Sequence, residues 1–83
     1  MNDEINRGHK AQQLLDEPLI KEAFDKLEAL YKEEIFLTKV DEVKERTNIY
    51  LCFNTLKTVK AHLQEVMQTG QLSEQSKQAP KVF

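Results

Sequence analysis

The sequence predicts an all-α protein: an antiparallel helical hairpin with a shorter N-terminal helix against it, followed by a flexible C-terminal tail. Two observations carry this reading. Apolar residues recur at steps of three and four through two long stretches, which is the period of one helix face. Only two Gly and two Pro occur in 83 residues, too few turn residues for a sheet of short strands. A chain of this length holds one domain. Residues 1–70 form the expected helical domain and residues 71–83 the tail.

The first helix is expected over 3–15, capped by Asn2 or Asp3. Ile5, Ala11, Leu14 and Leu15 give it a thin apolar edge. Gly8 within it costs about 1 kcal/mol relative to Ala. The second helix is expected over 18–36. Asp16 serves as its N-cap, and Pro18 falls in the first turn, where a missing N–H does no harm. Leu15 and Ile20 are placed to staple that entry. The apolar stripe is Ile20, Ala23, Phe24, Leu27, Leu30, Tyr31 and Ile35. On the outer face Glu17–Lys21, Glu22–Lys26 and Glu28–Lys32 each set Glu four residues before Lys, the favourable order.

A tight connection is expected at 37–40, with Thr38 and Asp41 resembling a capping box. The alternative is one continuous helix from Pro18 to Thr69. The third helix is expected over 40–69, ended by Gly70 as the left-handed residue. Its seam reads Ile49, Cys52, Leu56, Val59, Leu63 and Val66, widened by Tyr50, Phe53 and Met67. Cysteine is among the most buried residue types, so Cys52 is expected inside the core. The third helix outruns the second, and its overhang near Leu63 to Met67 is where the first can fold back. The tail, polar and Gln-rich, ends in Val82 and Phe83.

Residues that could carry chemistry are few. Cys52 and His62, ten positions apart on one helix, are separated by roughly 15 Å along its axis. Cysteine–histidine catalysis needs hydrogen-bond reach. His9 and His62 share no metal-ligand spacing with Cys52. His62 and Glu65 form an i, i+3 pair at a surface, and the adjacent Glu33 and Glu34 cannot face one another. No glycine loop for phosphate, nucleophile elbow or calcium loop occurs. No enzyme, metal or cofactor is expected.

The net charge is −2 and Arg occurs only at positions 7 and 46, so nucleic acid is not the expected partner. Lys57, Lys60 and His62 are the residues that would contact it. The N-terminal residues begin acidic and contain no apolar run, so no signal peptide and no membrane partner are expected. The single Cys fits a reducing compartment.

Two stretches, "RGHKAQQLLDEPLIKEAFDKLEALY" and "ERTNIYLCFNTLKTVKAHLQEVMQTGQL", carry a resemblance. The residues are Arg7, Gly8, Ala11, Leu14 and Leu15; Pro18; Glu22, Ala23, Phe24, Leu27, Glu28 and Tyr31; Glu45 and Arg46; Val59, His62 and Leu63; and Thr69, Gly70 and Leu72. Over 7–72 the chain resembles small helical proteins of unknown biochemistry encoded by tailed bacteriophages and prophages. The resemblance implies a phage origin and a role in virion structure and assembly, in the host cytoplasm during infection or in the virion. It implies no catalytic residues.

The expected function is therefore non-enzymatic: helix-mediated docking to further copies, as a homo-oligomer, or to a larger phage protein. Phe24, Tyr31, Tyr50, Phe53 and Met67 are the candidate contact residues, since aromatics and Met dominate such surfaces. A nucleic-acid-binding accessory in packaging or regulation and an inhibitor of a host protein are the alternatives.

Overall fold

The structure is a computed structural model that describes residues 2–78. It is all-α, with three helices: α1 (Asn2–Asp16), α2 (Pro18–Leu37) and α3 (Val43–Gln78). The chain is long and thin, 65 × 27 × 17 Å, with a radius of gyration of 18.3 Å. A compact chain of this length would have a radius of about 12 Å.

The shape follows from how the helices pair. Helix α1 packs along the C-terminal half of α3 and α2 along its N-terminal half, while α1 and α2 scarcely touch. Gly8 meets Gly70, and Glu28 meets Lys60. These pairs run in opposite directions, so α1 and α2 lie end to end as one interrupted arm antiparallel to α3. The expected hairpin is present, and α1 folds back onto the overhang of α3.

On α3 the least exposed positions are Arg46, Ile49, Phe53, Leu56, Lys60, Leu63, Met67, Gly70 and Glu74, with Val66 and Ser73 beside them. Their steps alternate three and four without a break, the signature of a left-handed coiled-coil seam. The expected seam shares Ile49, Leu56, Leu63 and the half-buried Val66, and its widening residues Phe53 and Met67 lie on the line itself, whereas Cys52 and Val59 are exposed and Lys60 takes a seam position. Cys52 is exposed, not in the core. The reason is that no further helix covers its side of α3.

The junctions also differ in detail. Helix α1 runs through Asp16, and the N-cap of α2 is Glu17, whose Oε2 accepts from the Ile20 N–H at 3.0 Å. Pro18 takes the first helical position, where its fixed φ is favourable. Asp16 now holds the position before the cap, so Leu15 and Ile20 are not in staple register.

Helix α2 stops at Leu37, and residues 38–42 turn the chain, which excludes the continuous helix. The Thr38 hydroxyl donates to the Ile35 carbonyl at 2.6 Å. The reciprocal pair falls one residue later than expected: Lys39 N–H donates to Glu42 Oε1 at 2.8 Å, and Glu42 N–H to the Lys39 carbonyl at 3.0 Å. Arg46, from the first turn of α3, reaches back over the turn. It donates to Thr38 Oγ1 at 3.0 Å and to the carbonyls of Lys39 and Val40 at 3.1 and 3.4 Å.

Gly70 does not end α3. No glycine has positive φ, and the helix continues to Gln78. Gly8 and Gly70 instead face each other where α1 crosses α3. A Cβ on Gly8 would lie 2.8 Å from the Gly70 Cα, and one on Gly70 would lie 2.9 Å from the Glu4 carbonyl oxygen. The two missing side chains let the backbones touch. Ala11, 3% exposed, continues this close contact. Beyond Gly70, Ser73 donates to Glu4, and His9 Nε2 lies 3.3 Å from Glu74 Oε2. The expected tail therefore begins as helix: α3 continues to Gln78, and Ser73 and Glu74 contact α1. Val82 and Phe83 lie outside the described residues.

Candidate functional site

Among the described residues only Ala11 and the two glycines are buried. Two half-buried stripes meet along one seam, and the apolar residues flanking that seam are left open on one side. There α2 and α3 form a groove of about 590 Å³, lined by Ile20, Ala23, Phe24, Leu27, Tyr31, Leu51, Cys52, Thr55, Leu56 and Val59. None of these residues is charged. Helix spacing carries the same side of α2 through Ala23, Leu27, Leu30, Glu34 and Leu37, at steps of four, three, four and three, so a carboxylate interrupts the apolar strip beyond Tyr31. Leu30 and Leu37 are 45% and 73% exposed.

The opposite side of the same helix pair is different. Phe53 lies in the seam with its ring near two ammonium groups, Lys57 Nζ at 5.3 Å and Lys32 Nζ at 5.8 Å from the centroid. The lysine stems cover apolar surface there while their charges stay in water. Lys60 enters the seam between the helices, with its Nζ 3.8 Å from Glu28 Oε1 and both side chains mostly shielded. Glu28 thus reaches across to α3, while Glu22 keeps its expected partner Lys26 at 3.2 Å.

The candidate contact residues separate accordingly. Phe24 and Tyr31 line the groove. Phe53 and Met67 belong to the seam between the chain's own helices. Tyr50 is exposed outside the groove. The groove residues to which sequence reasoning gave no role are Leu51 and Thr55, while Cys52, Leu56 and Val59 were placed in the seam. The signal was present, because Cys52 and Val59 sit at helical spacing with Leu56, but it was assigned to the interior.

Lys57, Lys60 and His62 are not brought together. Lys60 is paired with Glu28. His62 lies five positions beyond Lys57 on α3, about 140° around the helix. It borders a shallow hollow of about 200 Å³ with Glu4, Arg7, Glu65, Val66 and Thr69. Because α3 is unbroken, Cys52 and His62 stay roughly 15 Å apart along its axis.

Among the described residues there is no group of three or more His, Cys, Asp or Glu able to hold a metal ion. Among the described residues no helix is long and apolar enough to cross a membrane. What the groove can do chemically is desolvate a complementary apolar surface. No protein-family model matches the chain, and comparison with curated proteins and with solved structures gives no match.

Proposed function

We propose that the chain is a non-enzymatic helical interaction protein of a tailed phage, serving virion assembly or forming a minor virion component. It acts by docking the α2–α3 face onto another copy or a larger phage protein. One observation carries the docking part: a continuous uncharged groove stands open in a molecule that buries almost no apolar side chain. Apolar strips of this size on a soluble surface usually mark contact sites. The phage context rests on the residue pattern over 7–72. Of the candidate contact residues, Phe24 and Tyr31 are the anchors of this reading, because both line the groove.

The test is to purify virions from a producing phage and look for the chain by mass spectrometry, alongside chemical cross-linking in infected cells. The proposal expects the chain in virions or cross-linked to structural proteins during assembly. Absence from both, across repeated preparations, rejects it.

A further inference from the structure

We propose that the charged seam positions of α3 are an alignment lock: they fix which stretch of the α1–α2 arm each part of α3 faces, and so keep the groove uncharged. The lock holds whatever docks in the groove. Three charged side chains lie on the half-shielded line of α3, Arg46, Lys60 and Glu74, each two heptads from the next. The heptad positions between them are Phe53 and Met67. Each charge meets a different part of the chain. Arg46 donates to Thr38 Oγ1 and to the carbonyls of Lys39 and Val40 in the turn. Lys60 meets Glu28 of α2 at 3.8 Å, and Glu74 meets His9 of α1 at 3.3 Å. A wholly apolar seam packs in several registers. A polar residue within it gives up stability and admits one.

A lock is needed because the turn supplies none. Residues 37–42 contain neither Gly nor Pro, and no described residue has positive φ, so no residue type there forces α2 to stop at Leu37. Both helices repeat apolar residues at heptad spacing: Ile20 and Leu27, Phe24 and Tyr31, then Ile49, Leu56 and Leu63. A slide by one heptad, about 10 Å, therefore keeps many apolar residues facing one another. It does not keep the charges paired. Slid one way, Lys21 replaces Glu28 opposite Lys60, and Glu28 faces Phe53. Slid the other way, Ile35 replaces it, and Glu28 faces Met67. Either slide leaves half-shielded charges without partners, and the first also opposes two ammonium groups.

Either slide also spoils the groove. Its lining on α2 is Ile20, Ala23, Phe24, Leu27 and Tyr31. One heptad earlier the same places hold Asp16 and Glu17, and one heptad later they hold Glu34. The observed alignment is the one of the three that excludes carboxylates from the groove.

Distances between spin labels on Cys52 and on an Asp25→Cys cysteine read the alignment directly. Both positions are exposed, one on each helix. The chain with its natural seam should give one narrow distance. With Arg46→Met, Lys60→Met and Glu74→Met together, a second population should appear, displaced by about 10 Å along the helix axes, with the helical circular-dichroism signal retained. Lys60→Glu alone should also disperse the distances. Adding Glu28→Lys should restore the single distance, because the pair is remade with its charges exchanged. One unchanged distance in the triple variant would overturn the proposal and leave the seam charges without a part in alignment. If the triple variant fails to fold, the charge exchange decides: a Lys60→Glu chain that keeps one distance, or an exchange that does not restore it, overturns the proposal equally.

Discussion

Gly70→Ala separates two opposite expectations. At an ordinary interior helix position, Gly to Ala stabilises by about 1 kcal/mol, because the glycine backbone has more freedom to lose. Gly70 lies inside α3, so propensity alone predicts a rise in melting temperature. The new Cβ, however, would sit 2.8 Å from the Gly8 Cα and 2.9 Å from the Glu4 carbonyl oxygen. Both are backbone atoms, so no side-chain rotation relieves the contact. Ordinary van der Waals separation requires α1 to retreat by most of an ångström. Overpacking of this kind costs about 1–3 kcal/mol, and the retreat also loosens the contact that buries Ala11. The expected net change is a loss of up to about 2 kcal/mol. Gly8→Ala should behave alike. Once one substitution has moved α1 away, the second meets less resistance, so the double variant should lose less than the sum. Urea melts of the wild type, both single variants and the double, followed by circular dichroism, give all four values. A more stable Gly70→Ala would refute the reasoning and show that α1 does not press on α3 at this point.

Other substitutions probe the remaining junctions. Arg46→Ala removes the side chain that spans the 38–42 turn and should cost about 1–2 kcal/mol in a urea melt, since these charge-assisted bonds are partly exposed. Lys60→Met keeps the stem in the seam without its charge and should leave the melting temperature unchanged or higher; Lys60→Glu sets a like charge against Glu28 and should lower it. Glu17→Ala deletes the acceptor at the start of α2 and should cost about 0.5–1 kcal/mol by the same melt.

The parts legible in sequence were those set by one helix at a time. Pro18 announced a helix start, and the spacing of Ile49, Leu56 and Leu63 gave the direction of the seam. The rest depended on what lies opposite. Whether Phe53 or Cys52 turns inward is decided by the neighbouring helix, and spacing permits either. Lys60 looked like a solvent residue because its partner Glu28 already had a plausible partner in Lys32 on its own helix. Lys32 instead stands near Phe53. Gly70 read as a stop because an isolated glycine near a helix end usually is one. Only the facing Gly8 turns it into a contact, and the two are far apart in sequence. The groove was half visible: Phe24 and Tyr31 were named as contact residues, but Ile20, Ala23, Leu27, Cys52, Leu56 and Val59 were read only as stripe or seam positions. One interrupted arm cannot enclose both flanks of α3, so one flank stays open.

Cys52 reports most directly on the claim that this open flank is a docking face. The thiol lines the groove and is exposed in the single chain. Its labelling rate with a thiol reagent, measured on folded protein from dilute to concentrated solution, should start at the rate of an unhindered cysteine. It should then fall as a second copy covers the groove. Fast labelling at every concentration would mean that no copy docks there. Slow labelling even in dilute folded protein would place Cys52 inside the core and contradict the arrangement of α2 and α3 described above.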